Sequence, residues 1–141
     1  MRKIDYIVIH CTATPQTTKI QSIRNHWRNV LKWRNVGYHF IIEANGGVTQ
    51  LADIAVPTNG VAGYNTRSIH ISYIGGVDRQ GKPVDNRTEA QKVALIETIK
   101  KVRNEVALKQ RTFPIIQGHT DFPGVAKDCP CFDAKAEYKD I

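Results

Sequence analysis

A mixed α/β fold, in which a central mixed sheet is flanked by helices within a single domain, is predicted by three observations. The chain holds β-branched runs that end in chemistry-bearing residues, two stretches with helical apolar spacing, and turn-rich connections suited to hairpins as well as crossovers. Its 141 residues fit one domain, expected over 1–141. A hydrophobic content of 41% with 23% charged residues is ordinary for a globular protein, and no apolar run is long enough to span a bilayer, so no membrane insertion is expected. The segment after Met1-Arg2-Lys3 is too short for the apolar region of a signal peptide, so the chain is expected to be cytoplasmic as synthesised. In a reducing compartment, three cysteines point to thiolate chemistry rather than a disulfide framework. A net charge of +7 suits a polyanionic partner. The basic residues are dispersed and not interleaved with aromatics, so a solvated face is expected and a nucleic-acid partner is not.

Ile4 to Ile9 is rich in β-branched residues and reads as a buried strand delivering His10 at its end, before the loop Cys11-Thr12-Ala13-Thr14-Pro15. From Thr17 or Thr18 as N-cap, Ile20, Ile23, Trp27, Val30 and Leu31 share one helical face, with the helix ending near Arg34-Asn35 and Gly37 permitting the turn onward. Trp27 is then core, and His26 a border residue. Tyr38 to Ile42 is a strand, paired through Glu43-Ala44-Asn45-Gly46-Gly47 with Val48 to Leu51, and its alternation sets Tyr38 and His39 on opposite faces. The stretch from Ala52 to Asn65 reads as a long functional loop. Ser68 to Ile74 alternates as a strand with His70 on its polar face. Thr88-Glu89-Ala90-Gln91 is a capping box, opening a helix that carries Leu95, Ile96, Ile99, Val102 and Val106. Phe113 to Gln117 is a short strand that delivers His119, and Asp133 caps a last helix from Ala134 to about Lys139.

The loop from Gly118 to Cys131 holds His119, Asp121, Lys127, Cys129 and Cys131 between prolines and a glycine, a poor helix or strand and a plausible metal loop. An open catalytic zinc site needs one more donor, which His10 supplies. His10, His119 and Cys129 would give two neutral imidazoles and a thiolate, leaving a position free for water. Cys131 could replace Cys129 as the sulfur ligand. Amide hydrolysis at such a site needs donors for a developing oxyanion, and the Tyr38 hydroxyl and Lys127 ammonium are candidates. A Cys11–His10 nucleophilic pair is disfavoured, since adjacent residues at a strand end diverge. Asp121 is a candidate supporting residue for His119.

Six stretches then recur in family order. They are Ile7-Val8-Ile9-His10-Cys11-Thr12-Ala13-Thr14, Val36-Gly37-Tyr38-His39-Phe40-Ile41-Ile42, Gly63-Tyr64-Asn65 with Ser68-Ile69, Ile74-Gly75-Gly76, Gly118-His119 and Lys127-Asp128-Cys129-Pro130. From Ile4 to Phe132 the chain resembles the zinc-dependent N-acetylmuramoyl-L-alanine amidases of the phage lysozyme and peptidoglycan recognition protein type. The resemblance implies Zn2+ held by His10, His119 and Cys129, with Tyr38 and Lys127 catalytic and His39 structural. It prefers Cys129 over Cys131, because the family ligand directly precedes proline. It also implies a substrate groove on one face of the sheet. The expected reaction cleaves the amide between N-acetylmuramic acid and L-alanine of peptidoglycan, in a phage or prophage endolysin acting on the wall as a monomer. A non-catalytic peptidoglycan-binding module of the same fold is the alternative, disfavoured by the intact ligand set. The chain departs from the family pattern at Asn59-Gly60-Val61-Ala62, where relatives often carry a His, and at His70, where a Gly is common.

Overall fold

A computed structural model describes residues 1–141. Five strands form one sheet in the order β3-β2-β4-β1-β5: β1 (Tyr6–Cys11), β2 (Phe40–Ile42), β3 (Val48–Gln50), β4 (Ser68–Tyr73) and β5 (Ile115–Gly118). Only the β2–β3 hairpin is antiparallel; β2, β4, β1 and β5 run parallel. This is the expected mixed sheet. The strand ends differ from the sequence reading by a residue or two, since pairing partners rather than composition decide where a ladder stops. Tyr38, expected within β2, lies before it.

Parallel strands at the centre of a sheet must be covered on both faces. On one face Ile7, Ile9, Ile69, Ile71 and Tyr73 pack against α2 (Glu89–Gln110) through Leu95, Ile99, Val102 and Val106, and against Ala134 and Tyr138 of the C-terminal α3 segment (α3, Ala134–Glu137). On the other, Ile41 and Ile74 meet Ile23 and Trp27, while Val8 meets Val61 and Phe122. The alternation of β4 therefore does not mark a solvent face. All six of its residues are buried, and His70 lies wholly inside.

The capping box forms as expected: the Thr88 side chain accepts from the Gln91 amide, and the Gln91 side chain accepts from the Thr88 amide. Ile96, expected on the apolar stripe, is 38% exposed. The first helix differs more. Helix α1 spans Ile20–Asn25, with Lys19 rather than Thr17 or Thr18 at its N-cap and no side-chain cap bond. It continues as a π turn, His26–Val30, and ends there rather than near Arg34. The Leu31 amide reaches back five residues to the His26 carbonyl, and the extra residue rotates the following side chains off the stripe. Trp27 is buried as expected, but Val30 is 65% and Leu31 42% exposed.

Candidate metal centre

The parallel register of β1 and β5 builds the first half of the site. Ile9 lies beside Gly118, so the residues that follow them, His10 within β1 and His119 just beyond β5, stand as neighbours at the same edge of the sheet. Their ring centroids are 4.9 Å apart. Ligands at the carboxyl ends of adjacent parallel strands are a recurrent arrangement in α/β sheets. A short 3₁₀ turn, His119–Asp121, follows β5, and Asp121 Oδ2 accepts the Gly118 amide at 2.8 Å. Asp121 thus supports the backbone that carries His119, not its ring.

The loop to Cys131 folds back over this edge. The Thr120 amide donates to the Cys129 carbonyl, and Gly118 has no side chain because a Cβ there would stand 2.7 Å from Pro130 Cδ. Cys129 is thereby brought to His10 and His119. The three ligand atoms lie within 4.8 Å of one another, with Cys129 Sγ 3.8 Å from His10 Nδ1. The Cys11 amide also donates to Cys129 Sγ at 3.1 Å. Cys131 faces elsewhere: its Sγ donates to the Gly76 carbonyl and lies 3.9 Å from Cys11 Sγ.

Electrostatics suits neutral imidazoles. Burial, reinforced by the nearby His70, His119, Lys127 and His39, holds His10 well below the usual histidine range. Burial and then Lys127 bring His119 down to about 4. Both rings keep free lone pairs at neutral pH, as ligand chemistry requires. Contact with Cys129 and burial push the Cys11 thiol far up, and burial with Cys11 pushes Cys131 up to about 12. Neither is a thiolate nucleophile.

A cleft of about 190 Å³ opens on the group, lined among others by Trp33, Tyr38, Gly60, Lys127 and the three donor residues. It continues past Trp33 and His119 into a wider groove of about 730 Å³ walled by Val61, Ala62, Gly124 and Val125. Tyr38 packs edge-on against Trp27, its ring 4.9 Å from that of His10, and its hydroxyl donates to the Cys11 carbonyl at 3.3 Å. Burial and the Cys129 and Cys11 sulfurs raise its phenol above the usual range, so it remains a donor. Lys127 is exposed at the rim. His39 is buried away from the cleft, with Nε2 2.7 Å from the Val56 carbonyl.

Five residues singled out in the sequence, His10, Tyr38, His119, Lys127 and Cys129, line this cleft; Trp33, which lines it too, was not among them, and neither was the placement of His70 behind His10. That ring sits at hydrogen-bond distance from His10, with Nδ1 2.8 Å from His10 Nε2, and burial holds it well below the usual histidine range. Strand register accounts for the placement, since Val8 pairs with His70 and alternation then puts His70 on the same face as His10, a pairing that the sequence alone does not record.

A family model described as N-acetylmuramoyl-L-alanine amidase matches residues 1–132. The endolysin of Klebsiella phage KP32 is 37% identical over 132 residues, covering 92% of this chain and 82% of the phage protein. Among solved structures, Apis mellifera PGRP-SA superposes with a TM-score of 0.78 at 20% identity, covering 99% of this chain and 84% of the other. The N-acetylmuramoyl-L-alanine amidase LysC from Clostridium intestinale URNW does so with 0.74 at 20% identity, covering 96% and 82%. With nearly its whole length matched by the family model and by a phage relative, the chain belongs to the N-acetylmuramoyl-L-alanine amidase family.

Proposed function

We propose that this chain is a zinc-dependent amidase that cleaves the bond between N-acetylmuramic acid and L-alanine in peptidoglycan, and that it serves a phage or prophage as an endolysin, with 1–141 acting as one catalytic domain. The observation that carries the metal reading is the convergence of His10, His119 and Cys129 at the floor of a cleft, their ligand atoms within 4.8 Å of one another. Two neutral imidazoles and a sulfur bonded by an amide N–H are a donor set that fits zinc with a position left open. Zinc held there supplies a Lewis acid and a water acidified toward neutrality.

The remaining work falls to the chain. The wider groove of about 730 Å³, walled by the loop from Asn59 to Ala62 and by Gly124 to Val125, is where the glycan and stem peptide would lie beside the ligands. Negative charge developing on the carbonyl oxygen of the scissile amide is met by donors at the cleft: the Tyr38 hydroxyl, held by Trp27 and released from its weak 3.3 Å bond to a backbone carbonyl, and the Lys127 ammonium at the rim. The net charge of +7 draws the protein toward an anionic wall.

The test is to incubate the purified protein with cell-wall sacculi and to assay new L-alanine amino termini, with and without a metal chelator. Release that the chelator abolishes and added zinc restores is expected. No release in the presence of zinc would refute the enzyme reading and leave the non-catalytic binding module.

A further inference from the structure

We propose that His70 is a positioning residue for His10, fixing through its own hydrogen bonds the tautomer in which His10 turns Nδ1 toward the metal centre. The inference rests on the metal reading above for its purpose, but its geometry stands on a chain of bonds that begins at a backbone amide. The Val61 N–H donates to Asn65 Oδ1 at 2.8 Å, which fixes that atom as the oxygen. The same oxygen faces His70 Nε2 at 2.9 Å, so Nε2 must carry a proton. His70 is fully buried, and neither its ring nor that of His10 bonds a carboxylate, so a neutral ring is what the site can hold. Its Nδ1 is therefore an acceptor. His10 Nε2, 2.8 Å away, must donate to it, and the lone pair of His10 is left on Nδ1, the atom that faces Cys129 Sγ.

The relay is held from behind. Arg2 donates to the Asn65 carbonyl at 3.0 Å and to the Ile54 carbonyl at 3.0 Å, tying the loop that carries Asn65 to the chain just before β1. The His70 amide donates to His39 Nδ1 at 3.0 Å, which gives the buried His39 its role. Space for the His70 ring exists only because residue 60 is glycine. A Cβ there would stand 2.3 Å from His70 Nδ1 and 2.4 Å from Cγ, closer than atoms can approach. Gly60 and His70 therefore form a matched pair, the one leaving the volume that the other fills.

Two measurements test this. Nitrogen-15 imidazole spectra of the metal-free wild-type protein should show His10 and His70 each protonated on Nε2; a His10 ring protonated on Nδ1 overturns the proposal. Zinc affinity, measured by competition with a chromophoric chelator, should fall about 10- to 100-fold in His70→Phe, which keeps a ring but no acceptor. It should be largely recovered in His70→Asn, whose Oδ1 can stand where Nδ1 stood. Wild-type affinity in His70→Phe, or equal loss in both variants with their circular dichroism intact, overturns it too. Should the wild type take up no zinc, the metal reading fails, and the spectra still decide the tautomer.

Discussion

Cys129 and Cys131 are one residue apart and have opposite surroundings. Cys129 Sγ accepts a backbone amide and faces two imidazoles, whereas Cys131 Sγ looks to the Gly76 carbonyl. Cys129→Ser is therefore expected to lose most bound zinc while Cys131→Ser keeps it, as elemental analysis of the dialysed proteins would show; equal zinc in the two would refute the ligand assignment. Lys127→Ala should retain zinc yet lose about 2–4 kcal/mol of transition-state stabilisation, the effect of removing one oxyanion donor. Turnover unchanged on sacculi would demote Lys127 to a surface charge. Gly60→Ala should weaken zinc binding as His70→Phe does, since the added methyl displaces the His70 ring. At this scale the sequence was most legible where chemistry is unusual, in the His, Cys and Lys of the final loop. It was least legible at His70, because strand alternation marks a shared face but does not tell whether that face meets water or a neighbouring imidazole.

Among the elements, α2 follows its sequence most closely, because its start is written in local chemistry. The Thr88 cap does more than end a helix: its hydroxyl also donates to the Ala44 carbonyl at 2.6 Å, joining α2 to the β2–β3 turn. Thr88→Ala is expected to cost about 1–2 kcal/mol, toward the upper end for a cap, read as a lowered midpoint of thermal unfolding. A midpoint unchanged would mean that neither bond contributes. Helix α1 was less legible, since a π turn depends on a single backbone carbonyl accepting from one residue further on, and no side-chain pattern records that choice. The strand centres were plain from β-branched composition, and the strand ends were not.

For the whole molecule, Arg87 joins the segment before α2 to the C-terminal helix. Its guanidinium, with a side chain 3% exposed, pairs with Asp85 at 2.9 Å and Glu137 at 2.8 Å and lies 3.3 Å over the Phe132 ring. Those bonds hold both carboxyls below the usual carboxylate range. A depressed carboxyl contributes stability that is in place above its unfolded value, about 4, and fades as pH falls through the lower folded value. Because the Asp85 and Glu137 side chains are 33% and 42% exposed and can rehydrate, Arg87→Met should cost only about 1–2 kcal/mol at neutral pH. Unfolding midpoints of wild type and variant should begin to converge below about pH 4 and meet once pH lies under the lowered folded values; a gap that persisted with both carboxyls protonated would assign the loss to packing on Phe132 instead. The layered architecture was legible from the alternation of strands and helices, while this clamp was not, because its three partners are distant in sequence or of ordinary type.

Since Ile9 lies beside Gly118, the cleft cannot exist on a growing chain until the ribosome has released β5 and the loop to Cys131, more than a hundred residues after His10. Such a long-range pairing is also among the slowest to close. A product broken off before β5 would carry His10, Tyr38 and the greater part of the sheet, yet lack His119 and Cys129, the other two members of the ligand group.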